Sequence, residues 1–345
     1  MKILITAPYT NVAQEQLREG IGEVIYKPWK PNSRAYNEQE LIQLLKSTEA
    51  DALITEHDEV TEKVISSNLH LEFIGVCRGT PSNVAIDAAS NAGIPVFFTP
   101  ARNAQAVAEM FLANVISLLR NTLPSIEWLK SGKWGKGAHT SYLQFKGNEM
   151  AGKTIGMVGF GAVGQRIAAM VKGFPCYIQY YDPFTSATDP AYVKTSIENL
   201  FETSDIVSIH LPVNNSTRGS IDKKLLSRMK PDAVFVNTAR AVVVNSSDLV
   251  EALETNKIRG AVLDVFDNEP PGDIDNRLIH LPNVLATPHT AGATFEVEDH
   301  HAEIMNEAVL GWFNESRATR LLFNKEILTA KANKINEKWE APKVI

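Results

Sequence analysis

Short apolar runs alternate with amphipathic segments of helical length along most of the chain. In the first third, the apolar runs predict strands at residues 2–7, 23–27, 51–55, 72–76 and 95–99. Helical periodicity lies between them, at residues 12–19, 38–46 and 86–92. A second series predicts strands at residues 154–158, 177–181, 205–210, 233–237, 260–265 and 283–286. Runs of Val and Ile separated by helices are typical of parallel sheets with right-handed crossovers, so two doubly wound α/β domains are predicted.

Two longer helical patterns flank the second series, at residues 103–120 and 294–313. A helix at each edge of the second domain indicates that the C-terminal segment returns to the first domain. We therefore expect a discontinuous domain of residues 1–102 and 293–345, an inserted domain of residues 103–292, and a hinge at the two crossings. The tail beyond Arg320 is mixed in composition, and no role is predicted for it.

The amino-acid composition argues against several classes of function. The 345 residues are 44% hydrophobic and 21% charged, as in a protein of two globular domains. A net charge of -6 argues against nucleic-acid binding, which requires a basic face. No apolar run approaches the roughly twenty residues that cross a bilayer, and the apolar start is too short for a signal peptide. We expect a cytoplasmic protein with no nucleic-acid or membrane partner.

Cys77 and Cys176 are the only cysteines, and each lies in an apolar run far from the other. This spacing predicts buried free thiols and neither a disulfide nor a metal site.

A glycine loop follows the predicted strand 154–158 and opens a predicted helix. Gly159 permits the tight turn, Gly161 lets the backbone approach a pyrophosphate, and Gly164 lets helix and strand pack closely. The helix N-terminus supplies N–H groups and the positive end of the helix dipole. The loop, whose other members include Ala162 and Val163, therefore predicts a dinucleotide site, with a glycine-rich turn that binds nothing as the alternative.

Asp182 ends the next predicted strand, about twenty residues past the glycine loop, where a carboxylate binds the adenosine ribose hydroxyls. It would repel a 2′-phosphate, and residues 183–186 contain no Arg or Lys. These residues therefore favour NAD (NADH) over NADP as the cofactor.

Three polar residues follow the last three predicted strands: Arg240, Glu269 and His289. Because parallel strands end at one edge of a sheet, all three should face the edge that carries the glycine loop. Arg240 can hold a carboxylate through two hydrogen bonds and polarise an adjacent ketone. His289 can donate a proton to the ketone oxygen, and a nearby Glu269 would orient His289 and favour its protonated form. Each residue alone could be surface or core, but their joint placement favours hydride transfer to a 2-oxoacid.

Several motifs together resemble the D-isomer-specific 2-hydroxyacid dehydrogenases, over about residues 75–292. They are the glycine loop and the segments at residues 103–109, 210–212, 237–240, 263–266 and 288–292. The resemblance implies a Rossmann nucleotide-binding domain inserted in a flavodoxin-like substrate domain, an active site in the cleft, and a homodimer. It also implies reversible reduction of a small 2-oxoacid to a D-2-hydroxyacid.

The resemblance also implies residue roles. Arg240 would bind substrate, His289 would be the acid/base and Glu269 its partner. Substrate contacts are further expected from the Gly79 and Thr80 backbone and from Asn103, and Asp264 is expected near the nicotinamide amide. The other residues expected to contact cofactor are Val107, His210, Leu211, Pro212, Thr238 and Ala239.

Some positions depart from the family pattern. Arg78 stands where many members have a small or apolar residue, and it either contacts a second anionic or hydroxylated substrate group or points to solvent. Ala241 follows Arg240 where glycine is commoner. Trp134, His139 and Tyr142 are candidates to cap the cleft, with packing as the alternative for Trp134.

Other functions stay open. The same architecture could oxidise phosphite with a similar Arg, Glu and His set, whereas formate oxidation needs no acid/base pair. A nucleotide-sensing regulatory or scaffold protein is an alternative from a different class. The polar loops at residues 55–57 and 78–83 favour a small hydroxylated or sugar-derived acid as substrate.

Overall fold

The structure is a computed structural model that describes residues 1–135, 138–314 and 320–328. They form two compact units. The first unit holds Met1–Arg102 with the described residues from Thr294 onward, and the second unit holds Asn103–Ala293. The second unit thus interrupts the first along the chain, and its end lies one residue beyond the boundary expected from the sequence. The tail after residue 328 lies outside the described residues.

The first unit is built on a five-stranded parallel sheet. Its elements are β1 (Lys2–Ile5), α1 (Asn11–Gly20), β2 (Glu23–Tyr26), α2 (Glu38–Thr48), β3 (Ala52–Thr55), α3 (Glu62–Ser66), β4 (Phe73–Val76), α4 (Ile86–Asn91), β5 (Val96–Phe98) and, late in the chain, α13 (Glu296–Asn314). Strand residues alternate between two apolar layers, with Ile3 in the layer of α1 and α13 and Leu4 in the layer of α2. The order β2-β1-β3-β4-β5 is flavodoxin-like and places the switch point between β1 and β3.

The second unit is built on a seven-stranded parallel sheet. Its elements are α5 (Ala104–Leu119), α6 (Thr122–Lys130), α7 (Ala138–Gln144), β6 (Thr154–Val158), α8 (Ala162–Val171), β7 (Tyr177–Tyr181), β8 (Tyr192–Lys194), α9 (Ile197–Thr203), β9 (Ile206–Ile209), α10 (Lys223–Leu226), β10 (Val234–Asn237), α11 (Ser246–Glu254), β11 (Gly260–Leu263), α12 (Asp273–His280) and β12 (Val284–Ala286). The order β12-β11-β10-β9-β6-β7-β8 is that of a Rossmann domain, with the switch point between β6 and β9. The predicted fold class is confirmed.

Some sequence expectations need correction. The observed strands match the predicted runs or are shorter by one or two residues at an end. The edge strand β8 was not predicted, because its exposed Val193 and Lys194 leave no apolar run. Cys77 is buried as expected, but Cys176 is only half-buried. Within the described residues no single helix could cross a membrane, and only the bent pair α5 and α6 has sufficient length and apolar composition.

Candidate active site

His289 and Glu269 form a close pair in the second unit. Nδ1 of His289 lies 2.7 Å from Oε2 of Glu269, and Oε1 of Glu269 accepts a hydrogen bond from the backbone N–H of Phe266. The two side chains are 48% and 42% exposed, so both remain accessible to a ligand. An ionised carboxylate only accepts hydrogen bonds, so the contact assigns a proton to Nδ1. The pair therefore leaves Nε2 as the nitrogen that can exchange a proton.

The loop that carries His289 is held by Asp264, which is almost fully buried. Its Oδ1 accepts hydrogen bonds from the Thr287 hydroxyl at 2.6 Å and from the Thr290 N–H at 2.9 Å. Its Oδ2 accepts one from the Ala291 N–H at 2.8 Å. His289 has a φ of 53°, in the left-handed backbone region that residues other than glycine rarely adopt. Such a conformation persists only where its surroundings fix it, and the hydrogen bonds to Asp264 supply that restraint.

These contacts add to the role expected for Asp264. The resemblance places this carboxylate near the nicotinamide amide, whereas its hydrogen bonds in the structure go to the His289 loop. Thr287, which supplies the shortest of them, was not among the predicted site residues. Its position two residues before His289 is the sequence signal that points to it, whereas its contact with Asp264 is visible only in the structure.

Arg240 lies on an ordered loop after β10. Oδ1 of Asn237 accepts a hydrogen bond from the Ala239 N–H, and its Nδ2 donates to the Arg240 carbonyl, both at 3.0 Å. The Arg240 side chain is exposed, and its Nη1 donates to the Ala239 carbonyl at 2.6 Å. Ala241 begins a short 3-10 turn, which alanine adopts without strain. The departure from glycine at this position therefore leaves the Arg240 loop intact.

The three residues follow three adjacent strands of one sheet. Arg240 follows β10, Glu269 follows β11 and His289 follows β12, and these strands pair in parallel. The glycine loop follows β6 of the same parallel sheet. All four segments thus emerge at the carboxyl edge, where open α/β sheets bind ligands.

Two glycines of the loop are required by close contacts within the protein, and the third borders open space. Gly159 has a φ of 92°, and a Cβ there would lie 2.7 Å from the His210 carbonyl oxygen. A Cβ at Gly164 would lie 2.9 Å from the Gly159 oxygen, so this glycine permits α8 to pack on the loop. A Cβ at Gly161 would meet no atom within 4 Å, so the space before the first turn of α8 is open. That open space and the adjacent helix N-terminus fit a pyrophosphate.

Asp182 directly follows β7 and accepts hydrogen bonds from the glycine loop and from residues 184–185. Its Oδ2 accepts a hydrogen bond from the Phe160 N–H, and its Oδ1 accepts from the N–H groups of Phe184 and Thr185, all at 2.8–2.9 Å. Burial alone would raise the pKa of Asp182, but these hydrogen bonds outweigh it and the pKa lies below its ordinary value. The carboxylate is therefore ionised beside the glycine loop, as expected of an acid that faces a ribose and repels a 2′-phosphate.

Two buried polar atoms near this edge have no hydrogen-bond partner within the described part of the chain: Nε2 of His210 and Oγ1 of Thr238. They follow the neighbouring strands β9 and β10. Burial lowers the pKa of His210 to about 4, so its imidazole is neutral at pH 7. It therefore carries no charge that could offset the missing hydrogen bond at Nε2. Because buried unpaired polar groups cost free energy, a ligand that pairs with them fits this position. The remaining predicted cofactor residues differ in exposure: Val107 is buried, Val163, Leu211 and Ala239 are half-buried, and Ala162 and Pro212 are exposed.

The predicted substrate residues are divided between the two units. Arg78, Gly79 and Thr80 belong to the first unit, where they follow β4; Arg78 is half-buried and the other two are exposed. Asn103 belongs to the second unit, and a Cβ at Gly292 would lie 2.4 Å from its Nδ2. Gly292 thus admits the Asn103 side chain beside the His289 loop, a role that was not predicted.

The aromatic residues proposed to cap the cleft lie in an exposed segment of the second unit. Trp134 is 54% exposed and Tyr142 is 72% exposed, and His139 is exposed as well. The Trp134 ring centroid lies 6.5 Å from that of Trp128. Packing therefore accounts for only part of the Trp134 surface.

Known proteins resemble the chain both in amino-acid sequence and in structure. The sequence profile of the D-isomer specific 2-hydroxyacid dehydrogenase NAD binding domain matches residues 112–291. YoaD of Bacillus subtilis (strain 168), whose name assigns it to the 2-hydroxyacid dehydrogenases, is 55% identical over 329 residues, which cover 95% of this chain and 96% of YoaD. A hydroxypyruvate reductase of Thermotoga maritima is 35% identical over 72% of this chain and 80% of its own length. The solved structure of an acyclic imino acid reductase with NADPH and D-Arg superposes with a TM-score of 0.76 at 28% identity, over 94% of this chain and 100% of that one.

Proposed function

Because the chain belongs to the D-isomer-specific 2-hydroxyacid dehydrogenase family, as an oxidoreductase that binds NAD(H), we propose that it interconverts a small 2-oxoacid and the corresponding D-2-hydroxyacid. The observation that supports this proposal is the 2.7 Å contact between Nδ1 of His289 and Oε2 of Glu269. Hydrogen bonds to Asp264 hold the loop that carries His289. A proton donor held in one orientation is what carbonyl reduction requires.

The proposed chemistry divides among three side chains. The glycine loop and Asp182 would hold NADH, which would supply the hydride that the carbonyl carbon accepts. Arg240 binds the substrate carboxylate and polarises the neighbouring carbonyl through its guanidinium. Nε2 of His289 donates a proton to the carbonyl oxygen as the negative charge develops, and it recovers that proton in the oxidation direction. Glu269 accepts from Nδ1 and stabilises the imidazolium.

The preference for NADH over NADPH is part of the proposal and is supported by Asp182. Its ionised carboxylate beside the Phe160 N–H would face a 2′-phosphate with a like charge. A homodimer and a cytoplasmic location stay predictions from the sequence.

Two substitutions with matched controls test the assignment. His289→Gln should lower turnover by about two to four decades, as is typical of a lost general acid, while NADH binding measured by fluorescence stays close to wild type. Arg240→Ala should raise the substrate KM and lower kcat, because both carboxylate binding and carbonyl polarisation are lost. His280→Gln and Arg277→Ala, both on the exposed side of α12, serve as controls. Near-normal turnover by His289→Gln, or loss of NADH binding, would reject the role of His289.

A further inference from the structure

A cavity of 540 Å³ lies within the second unit, beside the bend between α5 and α6. The chain turns by 64° at this bend, where Asn121 has a φ of 52°. The lining also includes Arg259, which directly precedes β11, and residues 281–285, which lead into β12. Cavities of roughly 300–1,000 Å³ hold small-molecule ligands, so the size of this one suits a metabolite.

The cavity lies at the opposite edge of the sheet from the candidate active site. Arg259 and residues 281–283 precede the amino ends of β11 and β12, whereas Glu269 and His289 follow the carboxyl ends of the same strands. The two strands have four and three residues, which span roughly 10–13 Å at about 3.3 Å per residue. A ligand in the cavity would therefore be a different molecule from the one that accepts the hydride.

Much of the cavity lining is apolar. Leu118 lies near the end of α5, Leu123 and Pro124 lie in the first turn of α6, and Leu281 and Leu285 lie before and within β12. Leu123 is 49% exposed. Covering such a side chain contributes hydrophobic free energy in proportion to the apolar area that is removed from water. The lining therefore favours a ligand with an apolar group.

Arg259 places a positive charge in this lining, and its hydrogen-bond partners are neutral. Its Nη2 donates to the Leu119 carbonyl at 3.0 Å, and its Nη1 donates to Oδ1 of Asn148. Within residues 1–135, 138–314 and 320–328, Arg259 forms no ion pair. The two hydrogen bonds use two of the five N–H groups of a guanidinium. The half-buried side chain therefore keeps donors and a full charge for a carboxylate.

Glu127 adds a negative charge to the same lining. It lies on α6 and is exposed, and its carboxylate has neither a hydrogen bond nor an ion pair in the part of the chain that the structure describes. Glu127 and Arg259 thus line one cavity without pairing with each other. A ligand that carries both signs of charge can pair with each of them, whereas an acid or an amine can pair with only one. Charge complementarity therefore favours a zwitterion.

We propose that this cavity is a binding site for an α-amino acid with an apolar side chain. Arg259 holds the carboxylate through hydrogen bonds from its guanidinium, Glu127 holds the ammonium group, and Leu123 and its apolar neighbours contact the side chain. Such a ligand matches both charges and the apolar lining at once. The inference does not depend on the proposed function, because it concerns residues at the other edge of the sheet.

Calorimetric titration of the NAD⁺-saturated protein with three matched compounds tests the site. Leucine, as whichever of its D and L enantiomers binds more tightly, carries both charges. 4-Methylpentanoate has hydrogen in place of the ammonium group, and 3-methylbutylamine has hydrogen in place of the carboxylate. Wild type should bind leucine about tenfold more tightly than 3-methylbutylamine, because the amine offers Arg259 no charged partner. It should bind leucine about threefold more tightly than 4-methylpentanoate, because Glu127 is exposed and exposed ion pairs are weak.

Substitutions assign each preference to its residue. Glu127→Gln should bind leucine and 4-methylpentanoate equally and keep the preference over 3-methylbutylamine. Arg259→Met should show the reverse pattern. Arg277→Met, which changes an exposed arginine that pairs with Glu254 in the same unit, should bind all three compounds as wild type does. Because Glu127 is exposed, Glu127→Gln decides the proposal even where Arg259→Met, which removes two hydrogen bonds, does not fold.

Three results would overturn the site. The first is that wild type does not bind leucine, or binds all three compounds equally. The second is that Arg240→Ala loses leucine binding while Glu127→Gln retains it unchanged, which would place the amino acid in the candidate active site. The third is a dimer in sedimentation velocity that dissociates in Leu123→Asp and binds no leucine, because a second copy of the chain would then cover the cavity.

Discussion

Nδ1 of His289 lies 2.7 Å from Oε2 of Glu269, although the two residues are 20 positions apart in the chain and follow different strands. The contact exists because β11 and β12 are parallel neighbours whose following loops emerge at one edge. Each partner is fixed separately, Glu269 by the Phe266 N–H and the His289 loop by Asp264. The proton donor is thus oriented by the protein before any substrate binds.

Glu269→Gln removes the negative charge but retains the shape of the side chain. A hydrogen bond to a charged group contributes about 1.5–3 kcal/mol, so kcat should fall by about ten- to a hundredfold, less than for His289→Gln. Stopped-flow measurement of NADH oxidation reports this step. Unchanged rates in Glu269→Gln would show that the carboxylate does not assist His289.

Asp264→Ala should destabilise the protein and disorder the His289 loop. The change leaves two backbone N–H groups and the Thr287 hydroxyl without their acceptor, at a cost of about 2–5 kcal/mol in unfolding free energy. Asp264→Asn, which keeps one acceptor oxygen, should be milder. Chemical denaturation measures both, and wild-type stability in Asp264→Ala would contradict the restraint that we assign to this carboxylate.

The glycine loop offers a pair of matched substitutions. Gly161→Ala meets no atom within 4 Å, so its melting temperature should match that of wild type while NADH affinity falls at least about tenfold, because the methyl group occupies the phosphate space. Gly159→Ala combines a positive φ with a close approach to the His210 oxygen, so it should lower the melting temperature. Equal NADH affinity in Gly161→Ala and wild type would mean that no phosphate lies there.

Asp182→Asn removes the charge and leaves one acceptor oxygen in place of two. The amide oxygen can still accept from a backbone N–H, but repulsion of a 2′-phosphate is gone. The ratio of the NADPH and NADH dissociation constants should therefore fall by about tenfold or more relative to wild type. Fluorescence titration with both nucleotides gives the ratio, and an unaltered ratio would remove Asp182 from the ribose site.

His210 should make stability depend on pH. Its folded pKa of about 4 lies below the ordinary value of 6.5, so between these values the unfolded chain binds more protons and stability falls as the pH falls. From pH 7.5 to pH 4.5, wild type should lose about 2–3 kcal/mol more than His210→Gln. Urea unfolding of both proteins at the two pH values tests this, and an equal loss of stability in both would show that folding does not lower the pKa of His210.

The parts that could be predicted from the sequence are those with a local signature. Strands such as 154–158 and 177–181 are mostly apolar runs, and their observed bounds match the prediction. The glycine loop is identifiable from the spacing of its three glycines between a strand-like run and a helix-like run. Parallel connectivity then implies that Arg240, Glu269 and His289 emerge at one edge.

The rest depends on tertiary contacts. The hydrogen bonds from residues 287–291 to Asp264 join two loops, and the sequence of neither loop alone predicts them. The same is true of Gly292, which is required by the Asn103 side chain from far earlier in the chain. The contacts of Glu56 with Arg102 and Trp29 likewise join three separate segments of the chain.

The decisive measurement is NADH oxidation by the purified protein in the presence of small 2-oxoacids. These include glyoxylate, whose product is achiral, and hydroxypyruvate and 2-oxoglutarate, whose products are assigned by chiral analysis. We expect turnover of at least one acid, the D-2-hydroxyacid wherever the product is chiral, and loss of that turnover in His289→Gln. NADH binding without turnover of any acid, or formation of the L-isomer, would contradict it.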